Sequence, residues 1–311
     1  MIRIGIIGTD ASSHLHAKVL LTGGAYEIVG CYAQDNRESM LFARKYRIVS
    51  YSSPDALFRY ADAIDIAADF TGIVSLAEKS LKALKHVHIA HPHHLRWKDM
   101  QYLVRVAEES GVTLHLGGRY NHCSVHKSVA GLKQTPQWVK ITHHPECTDG
   151  DFNTIAQREM YYDLIFAMDV ANMRTIIKID EVVKTENTLY CRIEGDNGTS
   201  VSLSVQPLTG MPAKMELRCG YPDVNVKADM FAPMIEKQYI GYNVTDSVMP
   251  DKYNELEINK QQLRNFAQVM TNNQDVTIER HLQCCAVVDI LYATPVTVVP
   301  QSFRYTDGAV F

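Results

Sequence analysis

The chain has 311 residues, 46% of them hydrophobic and 21% charged, a composition ordinary for a globular protein and long enough for two domains. A net charge of −4 and a pI near 6.3 offer no basic surface for a nucleic acid, and no apolar run reaches the ~20 residues that span a bilayer. The 7 cysteines are odd in number and lack CxxC spacing, so a reduced, cytoplasmic protein without structural zinc or a disulfide framework is expected.

The first element, "IRIGIIG" (2–8), is a β-branched apolar run that stops at Gly8, as a buried parallel strand does. It has no small-residue cleavage site and is not read as a secretory leader. A helix over "HLHAKVLLTGG" closes at Gly23 and Gly24, and a strand, "YEIVGCYA", follows. Next come a helix "NRESMLFARKY" and a strand "ADAIDIAADF". The helix "SLAEKSLKALK" carries Ala77, Leu81 and Leu84 at helical spacing, with Ser75 and Glu78 placed as a capping box. "HVHIA" is a strand. "WKDMQYLVRVAEESG" is a helix with Trp97, Met100, Val104 and Ala107 on one face, and "VTLHLGG" is the last strand of the series. Strict β-α alternation predicts an α/β fold: a Rossmann-type, doubly wound parallel sheet with helices on both faces.

After residue 120 the rhythm changes. "WVKITHH", "TLYCRIEGD", "SVSLSVQP", "KMELRCG" and "DVNVKAD" alternate polar and apolar residues, with turns such as "GDNGTS" between them. That pattern predicts a mostly antiparallel open sheet with one face exposed or used for assembly. Helices over 153–176, 259–273 and 278–294 make this second part an α+β domain. The boundary is placed in "RYNHCSVH", giving domains 1–121 and 122–311.

Several residues carry possible chemistry. A strand, a glycine turn and a helix N-terminus is where a Rossmann domain holds a dinucleotide pyrophosphate. Here the turn is Gly8, Thr9 and Asp10, followed by Ser12 and Ser13. Asp10 at a helix N-terminus satisfies the amides a phosphate would take and repels the phosphate. A plain N-cap by Asp10 or Ser12 and phosphate binding assisted by the serine hydroxyls therefore stand side by side. At the end of the second strand Ala33, Gln34 and Asp35 occupy the place of the ribose-binding acid, and Asp35 serves equally well to begin the next helix. The cluster "HVHIAHPHHLRW" matches no established zinc spacing, so capped or solvated histidines are favoured over a metal site, with a functional His91 as the further reading. His91 stands instead at the C-terminal sheet edge, where such sheets bind ligands. His143 and His144, in "THHPECTDGD", read as an exposed loop. Asp163 and Asp169 in "YYDLIFAMD" flank an apolar helical turn, a costly arrangement unless the carboxylates are paired or used.

The segments "SLAEKSLKALKHVHIAHPHH", "RVAEESGVTLHLGGRYN", "NKQQLRNFAQVM" and "TIERHLQCCAVVDILYA" give the chain a resemblance, over nearly its whole length, to the Gfo/Idh/MocA oxidoreductase family. The resemblance implies NAD or NADP in the first domain, with Asp69 and Thr71 of "DFTGI" near the cofactor. The family's "EKP" signature is Ala90, His91 and Pro92 here, so His91 takes the place of the lysine beside the nicotinamide. In the second-domain helix, Tyr162 and Phe166 stand where the family has an aspartate and a catalytic histidine, and Asp169 is retained. The implied activity is oxidation or reduction of a hydroxyl of a sugar, cyclitol or related small molecule. His91 would act as general acid/base, and Tyr162 with Asp163 or Asp169 would orient the substrate. Many family members assemble through the C-terminal sheet, which implies a homo-oligomer. The joint departures from the glycine loop, the lysine and the histidine leave open a non-catalytic binding or regulatory protein on the same fold.

Overall fold

The computed structural model describes residues 1–70, 72–147, 152–232, 234–242, 244–272, 277–306 and 309–310. Two compact units form, Met1–Gly118 with Glu255–Ile278, and Arg119–Asn254 with Glu279–Phe311.

The first unit runs β1 (Ile2–Ile7), α1 (Ala11–Thr22), β2 (Tyr26–Tyr32), α2 (Asn36–Tyr46), α3 (Pro54–Phe58), β3 (Ala63–Ile66), α4 (Ile73–Lys82) and β4 (His86–Ile89). A single 3-10 turn (Pro92–His94), α5 (Trp97–Ser110) and β5 (Leu114–Leu116) complete the series. All five strands are parallel, in the order β2-β1-β3-β4-β5. Strand order reverses between β1 and β3, so their C-terminal ends open the crevice where such sheets bind ligands. The strands are short and apolar because both faces are covered: Ile4, Ile6, Ile64, Ile66, Val87 and Ile89 are all buried.

Local chemistry departs from expectation in two helices. The Ser75–Glu78 capping box does not form. Helix α4 begins two residues earlier behind Gly72, without a side-chain cap, and Glu78 instead accepts hydrogen bonds from Lys82 (2.6 Å) and Tyr102 (2.7 Å). Leu84 lies beyond the end of α4 and is exposed. In α5 the buried face is Met100, Leu103, Val106 and Ala107, with Trp97 and Val104 at its margin; the helix ends at Gly111 in the left-handed region (φ 65°).

The second unit contains α6 (Ser124–Ala130), β6 (Trp138–His144), β7 (Glu146–Cys147), α7 (Phe152–Val170), β8 (Ile176–Lys184), β9 (Leu189–Gly195), β10 (Ser200–Val205) and β11 (Leu208–Thr209). It continues with β12 (Lys214–Gly220), β13 (Val224–Asp229), β14 (Met234–Tyr239) and β15 (Thr245–Val248). Beyond α8 (Glu255–Asn272) come α9 (Ile278–Ala293), β16 (Thr297–Thr306) and β17 (Ala309–Val310). The large sheet has the order β15-β14-β13-β12-β6-β10-β9-β8-β16-β17 and is antiparallel except where β6 meets β10. Helix α7 packs on β6 and β10, and the strands alternate buried with half-exposed positions, as one-sided cover requires.

Helix α8 groups with the first unit, whereas the sequence reading assigns 122–311 as a whole to the second. Its Leu263 and Phe266 join Ile4, Ile6, Leu20, Tyr26 and Phe42 in one core, and Tyr26 donates to the Leu263 carbonyl at 2.6 Å. The amphipathic pattern of an isolated helix does not say which hydrophobic surface it will cover.

Candidate active site

In the first unit a cleft of about 700 Å³ opens at the C-terminal ends of β1, β2 and β3. Its walls are Ile7 to Asp10, Tyr32 to Asp35, Ala68 to Phe70, and residues of α4 including Lys79. Gly8 is required here. Its φ is +120°, and a Cβ would lie 2.4 Å from the Ala68 Cβ and 2.6 Å from the Ser13 hydroxyl, so no side chain fits between the β1 and β3 loops. Of the residues expected at a cofactor, Gly8, Thr9, Asp10, Ala33, Asp35 and Asp69 line this cleft. Thr71 lies outside the described residues.

Asp10 is the N-cap of α1. Its Oδ1 accepts from the Ser13 amide (2.8 Å) and the Ser13 hydroxyl (2.7 Å), and its Oδ2 accepts from the Asp69 amide (3.0 Å). Ser13 is fully buried, so its hydroxyl serves Asp10 and is not open to a phosphate. Asp35 is likewise a cap, accepting from the amides of Arg37 (2.8 Å) and Glu38 (3.2 Å) through one oxygen. Four carboxylates line the cleft, those of Asp10, Asp35, Glu38 and Asp69, against one ammonium, that of Lys79. In shape the cleft suits a dinucleotide; in charge it suits free ribose hydroxyls near Asp35 and Glu38 better than an added phosphate.

His91 follows β4 and is half-buried. Its Nε2 meets the Ser12 hydroxyl at 2.9 Å, and Pro92 behind it is buried in the 3-10 turn. The same turn gives Asp69 two imidazoles: His94 Nε2 hydrogen-bonds its Oδ1, and His93 Nε2 lies 3.6 Å from it. Burial opposes charge on Asp69, but His94, His93 and His91 together draw its carboxyl down to about 2. One ligand-type atom from each of Asp69, His93 and His94 falls within 4.8 Å of the others. The histidines of "HVHIAHPHH" thus separate: His91 meets Ser12, His93 and His94 gather on Asp69, His86 accepts from the Thr113 amide (3.1 Å), and His88 enters the core.

In the second unit, α7 carries the expected substrate-orienting residues. Asp163 is buried and pairs with His143 Nδ1 at 3.0 Å. This corrects the loop reading of His143, which is the third inward residue of β6 after Val139 and Ile141. Burial works against charge on His143, but the Asp163 carboxylate outweighs it and raises the imidazole; Asp163, buried and near Glu159, is raised as well. Glu159 takes Arg119 (2.7 Å), Tyr120 (2.8 Å) and Arg158 (2.8 Å). Tyr162 is buried with its ring edge-on to Tyr120.

Asp169 lies six residues on and serves a different group. It accepts from Asn121 (2.9 Å) and Arg280 (2.7 Å) and meets His126 Nε2 at 2.8 Å. Burial opposes its charge, but His126, Arg280 and Asn121 hold the carboxyl well below the usual carboxylate range. Helical geometry explains the split, since residues six apart point to different sides of α7. Sequence reasoning missed His143, His126, Glu159 and Arg119. The alternation of β6 contained the signal for His143; the others meet their partners only through tertiary contacts.

Residues 2–118 match the model of the Gfo/Idh/MocA family, described as oxidoreductases with an NAD-binding Rossmann fold. No curated protein matches the chain in sequence. Among solved structures, UDP-N-acetylglucosamine 3-dehydrogenase GnnA from Acidithiobacillus ferrooxidans superposes with a TM-score of 0.80 at 16% identity, over 94% of this chain and 97% of that one. GenD2 from gentamicin A biosynthesis, in complex with NAD, gives 0.79 at 14%, over 98% and 97%. KijD10, a 3-ketoreductase from Actinomadura kijaniata in complex with NADP and TDP-benzene, gives 0.75 at 14%, over 94% and 97%. At such identities these likenesses speak for the fold alone. Over residues 2–118 the chain is similar to the Gfo/Idh/MocA oxidoreductase family and its NAD-binding Rossmann fold.

Proposed function

We propose that this protein is an NAD-dependent oxidoreductase that interconverts a hydroxyl and a ketone on a sugar, cyclitol or related small molecule. The observation that carries the reading is the cleft at the β1/β3 switch point, walled by the three strand ends that bracket a dinucleotide in this architecture. Gly8 and Thr9 would face the pyrophosphate, and Asp35 with Glu38 the adenosine ribose. Two carboxylates there repel a 2′-phosphate, which favours NAD over NADP. When bound, the nicotinamide supplies the hydride acceptor or donor.

His91 is the acid/base group of the proposal. It takes the proton of the substrate hydroxyl during oxidation and returns it during reduction, as an imidazole can in both directions. The Ser12 hydroxyl on Nε2 fixes the ring. In the second domain, Tyr162 and Asp169 are retained as candidates for orienting the substrate, and Asp163 as a positioning residue acting through His143. GnnA, named a 3-dehydrogenase, and KijD10, a 3-ketoreductase, support a hydroxyl/ketone reaction by analogy of fold. Assembly of copies through the half-exposed face of the ten-stranded sheet belongs to the same reading, supported by the alternation along β9 and β10. Light scattering tests it directly.

One observation favours a second reading. Asp10 already fills the α1 N-terminus with a carboxylate, in the manner of an internal phosphate substitute. A binding or regulatory protein that no longer takes the dinucleotide would carry this feature. Calorimetric titration with NAD⁺, NADH, NADP⁺ and NADPH separates the two. The oxidoreductase reading expects NAD(H) to bind, about tenfold or more tighter than NADP(H), a difference of about 1.4 kcal/mol. Absence of binding by all four at millimolar concentration overturns the oxidoreductase reading.

A further inference from the structure

Beneath the cleft, the core of the first domain holds a polar ladder where a parallel sheet is ordinarily apolar. Asp65, His88 and His115 are interior residues of "AIDI", "HVHI" and "LHL", and the strand register aligns them side by side. His16 of α1 reaches the ladder from above, with its Nδ1 2.9 Å from Asp65 Oδ2 and its ring stacked on that of His88 at 5.8 Å. Asp65 and His88 are 0% exposed and His16 is 1% exposed. Two of their atoms, Asp65 Oδ1 and His88 Nε2, are buried without a hydrogen-bond partner among the described residues. A buried polar atom left without a partner costs stability, so a core that retains two of them calls for an occupant.

We propose that His16, Asp65 and His88 form a buried binding site for a divalent transition-metal ion of the zinc class. One ligand-type atom from each lies within 4.8 Å of the other two, from three different elements. Ligands about 2.0–2.1 Å from one ion stand roughly 2.9–3.4 Å apart, so the His16–Asp65 separation is as suitable for shared coordination as for a hydrogen bond. The outer contacts fit the same reading. His88 Nδ1 meets His115 Nδ1 at 2.9 Å, which turns Nε2 inward, and His16 is also hydrogen-bonded to Asn259. Two imidazoles and one carboxylate select zinc, iron(II) or their neighbours over magnesium or calcium. Phe266, with its ring centroid 5.6 Å from those of both His88 and His115, shuts the group off with apolar cover, so the ion would be taken up during folding and would be structural. Its place gives it a consequence for the cleft. His16, Asp65 and His88 lie six, four and three residues from Asp10, Asp69 and His91, so one ion would pin together the three elements whose ends form the site.

The test is elemental analysis of tag-free, full-length protein grown with added zinc chloride, followed by refolding from urea with EDTA or with zinc chloride. About one equivalent of metal is expected, with a melting temperature several degrees lower after refolding in EDTA and restored by zinc but not by magnesium. The metal should be lost in Asp65→Asn and His88→Gln and kept in the His93→Ala/His94→Ala double variant, which removes the cluster at the cleft edge. Should the core variants fail to fold, the wild-type metal content and the zinc-dependent refolding decide alone. Less than a tenth of an equivalent, with refolding indifferent to zinc, overturns the proposal, as does metal that leaves with His93 and His94.

Discussion

The Asp10 carboxylate accepts the backbone N–H of Asp69 at 3.0 Å, tying the β1–α1 turn to the loop after β3 with the charge that a dinucleotide would bring. Replacing Asp10 with glycine removes that charge and re-creates a turn with a second glycine. Loss of the cap costs only a few tenths of a kcal/mol when glycine is the replacement, and loss of the tie to Asp69 adds about 1 kcal/mol. NAD⁺ affinity should rise about tenfold while the melting temperature falls slightly. Calorimetry and a thermal melt check the two halves separately, and unchanged or weaker affinity would show that Asp10 does not compete with the cofactor.

Much of the fold was legible because its cause is local. "IRIGII" and "AIDI" are strands buried on both faces, and their apolar runs between glycine and helix signals say so. The antiparallel strands announce themselves by alternation, as in "LYCRIEG". The site was harder because its partners are distant in sequence. His143 was misread since "THHP" looks polar, although its parity with Val139 and Ile141 places it inward. Asp65 and His115 carried a readable anomaly, one polar residue in the centre of an apolar strand, but only the register shows that the anomalies are neighbours. Helix α8 reads as amphipathic from sequence, yet nothing in its own pattern names α1 and β1 as its cover.

His91 is half-buried with Ser12 on its Nε2, and its removal should strike turnover rather than binding. His91→Ala is expected to lower kcat by about 10²–10⁴, the range of a general acid/base, with NAD⁺ affinity changed less than threefold. Ser12→Ala loosens the ring without removing the base, so a fall of about tenfold is expected, and the acid limb of the kcat/KM profile should move. An active His91→Ala enzyme would take the proton chemistry away from this residue. Steady-state kinetics over pH 5–9 with the reactive sugar or cyclitol as substrate make the measurement.

The Asp163–His143 pair joins α7 to the central strand β6 in a fully buried setting. Removing one partner strands the other, and Asp163→Ala should destabilise the protein by about 3–5 kcal/mol. Asp163→Asn keeps the shape and an acceptor for the imidazole N–H, so it should cost less than half as much. The double variant Asp163→Ala/His143→Ala should be milder than the sum of the single variants, because no unpaired ionisable group is left behind. Urea denaturation of the four proteins provides the cycle. Strict additivity would mean that the two residues do not act as a pair.

His122 gives the protein an acid-sensitive element that is not itself a carboxylate. Burial, aided by nearby His126, pushes its imidazole down to about 4 from an ordinary 6.5. The folded state therefore refuses a proton that the unfolded chain accepts. The sign follows: the stabilisation is complete above about pH 6.5, declines as pH falls, and is gone once pH passes below about 4. Over that window the loss amounts to about 3 kcal/mol. His122 also adopts a left-handed backbone (φ 71°), which asparagine tolerates better than most residues. His122→Asn should therefore fold normally and show a flatter decline of stability between pH 6.5 and 4, with little change at pH 8. Urea midpoints at pH 8, 6 and 4.5 for both proteins check this, and parallel curves would place the acid sensitivity elsewhere.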